Sequence, residues 1–149
     1  MKVNTEAFIT ALTERVNTIL PTTYEEAPTK NAPPIFAVVS GINIIDLESG
    51  DLASFYIDVW ADEKAADATI NLERACDSLR NGLYNAIIAA PGLYGHIGFD
   101  NQNTVADSEF DIAHRRLSMS ARLFYYEEVT QWLLILQNSK SRISKLTSR

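Results

Sequence analysis

Most of the residue patterns that carry chemistry are missing from this chain. It has a single cysteine, Cys76, so no internal disulfide can form and nothing requires an oxidising compartment. It has two histidines, His96 and His114, both in stretches that read as strand or loop and not as helix, and no CxxC pair, so no metal site is expected. Glycines are scarce. Gly92, Gly95 and Gly98 recur in "PGLYGHIG", which matches neither GxGxxG nor GxxxxGK[ST] and reads as turns and strand bends. There is no GxSxG elbow. No apolar run approaches the roughly 18 residues of a membrane span. Glu6, Glu14 and Arg15 interrupt the opening "MKVNTEAFITALTERV", which is therefore not expected to be a signal peptide.

The remaining polar groups do not assemble into a catalytic set. Cys76 falls between Leu72 and Leu79 on an apolar helical stripe and reads as a core thiol. The carboxylate pairs Glu25/Glu26, Asp62/Glu63, Glu109/Asp111 and Glu127/Glu128 fall at turns or element ends, where a solvated charge is the default. We expect no catalytic residue, no metal and no cofactor.

Charge is present but uneven. Residues 1–137 carry a net −10 and residues 138–149, "NSKSRISKLTSR", carry +4. The body should repel nucleic acid, while the tail either frays in solvent or touches an acidic partner. A length of 149 residues fits one domain, 1–137, followed by this basic tail.

Periodicity supplies the elements. Phe8, Leu12, Val16 and Ile19 predict a helix over Asn4–Ile19, with Asn4 or Thr5 as cap. A short strand is expected at Thr23–Ala27. "IFAVVSG" (35–41) reads as a strand covered on both faces, extended by "INIID". A turn at "ESGD" (48–51) leads to 52–61, where Ala53, Phe55, Ile57 and Val59 share a face. Asp62 is expected to cap a long helix with the stripe Leu72, Cys76, Leu79 and Leu83, broken near Gly82 and ended by "APG" at 90–92. "LYGHIGF" reads as a strand and "DNQNTVADS" (100–108) as an exposed loop. "EEVTQWLLILQ" closes with a short amphipathic helix in which Trp132 is the large apolar group.

Between them lies "HRRLSMSARLFYYEE". Leu117, Met119, Ala121, Leu123 and Tyr125 alternate with Arg116, Ser118, Ser120 and Arg122. From His114 to Tyr126 such a strand runs on the order of 40 Å, far beyond the usual length of about 5–6 residues. Tyr56 and Trp60, like Phe124 and Tyr126, oppose the apolar faces of their strands, so either a helix or a neighbouring chain covers the second face. The order α-β-β-β-α-β-β-α predicts an α+β fold, an antiparallel sheet with helices mainly on one face.

The succession "PPIFAVVSG", "FYIDVWADEKAAD", a long Ala/Leu helix, a Gly-rich strand, an Asn-rich loop and "HRRLSMSARLFYYEE" resembles the tail terminator, or tail-completion, proteins of long-tailed bacteriophages over roughly residues 4–127. The resemblance implies a structural virion protein of the neck, assembled in host cytoplasm, with no enzymatic activity. It implies a homo-oligomer, a hexameric ring that caps the tail tube protein and receives a head-side stopper or connector protein. DNA would pass through the ring without specific binding, and no membrane is involved. Arg115, Arg116 and Arg122 would then meet Asp62, Glu63 and Asp67 of an adjacent copy, or else guard an exposed edge. Phe124, Tyr126 and Trp132 would join the interface. Asp100, Asn101, Gln102 and Asn103 would face the tube or channel. The stretch from Val129 onward is longer than a minimal member carries, which leaves open another neck or adaptor ring of similar build, or a non-enzymatic binding module.

Overall fold

The computed structural model describes residues 3–28, 32–62, 67–105, 112–126 and 136–140. Helix α1 spans Thr5–Asn17, and the Asn4 side chain accepts from the Ala7 N–H at its start. Strands β1 (Thr22–Tyr24), β2 (Ile35–Leu47) and β3 (Gly50–Asp62) follow, then helix α2 (Ala68–Leu83) and strands β4 (Ile87–Ala90), β5 (Leu93–Thr104) and β6 (Ile112–Tyr125). Residues 136–140 are helical and exposed. None of the described helices is long and apolar enough to cross a membrane.

One sheet carries all six strands in the order β1-β2-β3-β6-β5-β4. Every pairing is antiparallel except β1 with β2. The fold is α+β as the sequence pattern predicts, with both long helices on one face. Phe8, Leu12 and Val16 of α1 and Leu72, Cys76, Leu79 and Leu83 of α2 are buried against Ala53, Phe55, Ile57 and Val59 of β3 and Leu117, Met119, Ala121 and Leu123 of β6. These β3 and β6 positions follow the period-2 alternation. Burial raises the Cys76 thiol pKa from 9.0 to about 12, in keeping with a core thiol.

The β2–β3 turn depends on Gly50, whose φ is +96°. A Cβ there would lie 2.1 Å from the Leu123 carbonyl oxygen, so any side chain would push β3 off β6.

Four expectations are corrected. Asp62 does not cap α2; it ends β3 opposite Ile112, and the cap position is Asp67. Gly82 does not break α2; its missing side chain lets Ile19 approach to 2.6 Å of where a Cβ would stand. The helix ends at Leu83, and "IIAA" forms β4, because Asn85 turns the chain with φ +58° and Pro91–Gly92 closes a hairpin to β5. Asp100–Thr104 is not a loop. Asn101 to Thr104 pair with Ser118 to Arg115 after a bulge, so β6 pulls this polar stretch into the sheet. Glu63, Trp132 and most of the expected closing helix lie outside the described residues.

Candidate interaction face

The sheet face away from the helices has its own centre. Asp58 lies on β3 directly opposite Arg116 of β6, and Trp60 lies opposite His114. All four share the even-numbered face. The Arg116 guanidinium grips the Asp58 carboxylate in a fork, Nε to Oδ1 at 2.8 Å and Nη2 to Oδ2 at 3.2 Å. His114 Nε2 meets the same Oδ1 at 2.8 Å, and Ser40 donates its hydroxyl to Oδ2 at 3.4 Å. His114 Nε2 donates to this carboxylate, and its Nδ1 is buried with no hydrogen-bond partner among the described residues.

Aromatic rings close over this charged centre. Trp60 stacks on the His114 ring with centroids 3.6 Å apart. Arg116 lies 4.3 Å above the Tyr56 ring. Tyr56 can lie flat because Gly41, with φ +63°, has no Cβ; one would stand 2.6 Å from the ring. Asp58 is thereby 5% exposed and His114 4% exposed, with no helix above them among the described residues. The hydrogen bonds to Asp58 raise the Arg116 pKa further. Every near lone pair of this carboxylate is engaged, so it works as a clamp and not as a base. Among the described residues no cluster of acidic, histidine or cysteine side chains could hold a metal ion.

The predicted site residues are spread over several parts of the fold. Arg116, Arg122 and Phe124 lie on this face. Phe124 stacks on Tyr94 at 5.0 Å, and exposed Arg122 reaches Ser49 at 3.5 Å and lies 5.9 Å from the Phe124 ring centroid. Arg115 points to the helix face, where its Nε donates to Glu73 of α2 at 2.7 Å; Gln102 joins the same carboxylate at 3.3 Å. Asp100, Asn101 and Asn103 are exposed along the outer half of β5, and the Asn103 amide donates to Asn101. Asp67 is exposed at the start of α2, and the Tyr126 hydroxyl reaches the Ala90 carbonyl at 3.3 Å. Arg115 and Arg116 thus hold partners within their own chain.

Sequence reading missed Asp58 and the role of His114. A signal existed: "YIDVW" places a carboxylate between two aromatics at period 2, and "HRRLS" places His and Arg at the same period. Their register, set by strands far apart in the chain, was not readable. Ile45, Tyr56, Ile87 and Tyr94 lie on this same face, and each is 38–61% exposed.

No protein-family model matches the chain, and no curated protein matches it in sequence. In fold it matches 21 chains of solved structures. One belongs to a structure described as "Virion of native gene transfer agent (GTA) particle", at 15% identity and a TM-score of 0.62, covering 83% of this chain and 99% of that one.

Proposed function

We propose that the protein is a structural component of a phage-like virion: a neck subunit that forms a ring, six-fold by our reading, on the head-proximal end of the tail tube. It ends tube growth and presents the surface to which the head joins. The observation that carries this reading is the fold shared with a chain of a gene transfer agent virion over 99% of that chain's length. A second support is the outer sheet face, which holds a saturated charge clamp at one end and exposed Ile45, Ile87 and Tyr94 at the other. In this reading Arg122, Phe124 and Tyr126 contact neighbouring subunits, and Asp100 to Asn103 face the tube. The −10 body repels the phosphates of DNA sliding through the ring.

The test is electron microscopy of the purified protein, alone and mixed with assembled tail tubes. A six-fold ring capping one end of each tube is the expected result. A stable dimer that leaves tube ends bare would overturn the reading.

A further inference from the structure

Among the described residues, both edges of the sheet are open. β1 pairs only with Ala37–Val39 of β2, and among the described residues no strand lies along the side of β2 away from β3 from Ile42 to Leu47. At the far edge, β4 pairs with β5 on one side only. Exposed edges in soluble proteins carry charges or proline to prevent sheet-to-sheet pairing. Ile42–Leu47 carries one charge, Asp46, and no proline, and Ala86–Ala90 contains neither.

The direction of the free groups follows from the ladders. Ala37 donates its N–H to Pro21, so the odd residues of that half of β2 turn outward. The bulge between Ser40 and Asn43 shifts the parity, and Ile44 and Asp46 turn outward after it. On β4, Ile97 donates to the Ala86 carbonyl, so Ala86, Ile88 and Ala90 face β5 while Ile87 and Ala89 turn outward.

We infer that β4 of one copy adds to the open edge of β2 in the next copy, which makes the sheet continuous from subunit to subunit. This deepens the ring reading and rests on it. β2 and β4 run in the same direction within the sheet, since three antiparallel steps separate β3 from β4. With the strands along the ring axis, rotation preserves their direction, so β4 meets the next β2 in parallel, the sense β1 already uses on that strand. A contact between two different edges is heterologous and repeats around a ring. Four residues of β4 fit the six-residue gap above β1. Ile44 comes opposite Ile88, both on the helix face, and Ile45 comes opposite Ala89 on the outer face. The outward groups of Ile44 and Asp46 then bond those of Ile87 and Ala89. A two-fold pair would instead join β2 to β2, antiparallel.

The test uses Ile45→Cys with Ala89→Cys. The native thiol, Cys76, is fully buried and stays silent. Oxidation, or a short thiol-to-thiol linker, should give a covalent ladder in the double variant and none in either single variant. Light scattering on the same samples reports assembly. Assembly without a ladder overturns the edge pairing and leaves the ring reading standing. Dimers from Ile45→Cys alone overturn it in favour of a two-fold β2 contact. No assembly at any concentration, with or without tubes, overturns both readings. As a second variant, Ile44→Pro removes one outward N–H, a position where an edge strand accepts proline. It should keep the monomer's melting transition and abolish assembly; assembly at the wild-type level would count against the proposal.

Discussion

Phe55 and Asp58 stand three residues apart on β3 and are almost equally hidden, at 2% and 5% exposure. The means of hiding differ. Phe55 lies beneath α1, edge-on to Phe8 at 6.2 Å, in a layer of aliphatic side chains. Among the described residues Asp58 has no layer above it; Arg116, His114 and Ser40 bond its oxygens, and Tyr56 and Trp60 lie flat over its partners. One face is buried by an added layer that any well-shaped apolar group can join. The other is buried by a fixed set of partners, each of which fits one place. A sheet can therefore shield a charge without a second layer, provided its cross-strand neighbours satisfy and cover it.

The largest effect should come from the layered face. Leu117→Ala removes a fully buried side chain beneath the helices and should cost about 3 kcal/mol in denaturant unfolding. Asp58→Ala strands the His114 N–H and the Arg116 fork and should cost about 2 kcal/mol. Replacing both partners, as Asp58→Leu with Arg116→Leu, should recover part of that loss, because apolar groups need no partners. If the double variant is no better than Asp58→Ala, the fixed-partner account of this face is wrong.

Tyr125 combines the two modes. It is buried on the helix face, and its hydroxyl donates to Asp51 Oδ2 at 2.8 Å. Tyr125→Phe should cost about 1 kcal/mol at neutral pH. Burial first, and then the bond to Asp51 and its charge, raise the phenol pKa from 10.0 to about 12. The folded chain thus holds this proton at a pH where the unfolded chain has lost it. The contribution is complete below about pH 10 and is lost as pH rises towards about 12. Stability measured across that window should fall less steeply in Tyr125→Phe than in the native chain. The smallest effect belongs to exposed Arg122. Arg122→Ala should change monomer stability by less than about 0.5 kcal/mol, and a larger loss would mean that this exposed end of the face is held as firmly as the Asp58 clamp.

The helix face was legible because it is periodic. The stripes Phe8-Leu12-Val16 and Leu72-Cys76-Leu79-Leu83 and the alternation in β3 and β6 needed no knowledge of the partner. The errors came where the partner decides. "IIAA" has the composition of a helix end, and only the hairpin at Pro91–Gly92 makes it a strand. "DNQNT" has the composition of a loop, and only β6 makes it a ladder. The clamp was hidden for the same reason: Asp58 and Arg116 are 58 residues apart, and no local pattern encodes which of them meet. The long strand did announce its length, but its two edges, β2 and β4, became visible only once the strand order was known.

That order also bears on how the chain is made. β2 and β3 form a local hairpin, as do β4 and β5, but the two halves join only where β3 pairs with β6 from Asp51/Leu123 to Asp62/Ile112. At a synthesis rate of roughly 5–20 residues per second, several seconds separate the emergence of β3 from that of β6. For that interval Ala53, Phe55, Ile57 and Val59 line an aliphatic strand without its inner neighbour, the condition under which nascent sheets cross-pair between ribosomes. The central seam of the finished sheet is the last to close, and slow translation between Asp62 and Ile112 would lower the yield of correctly folded chain more than a pause anywhere after Tyr125.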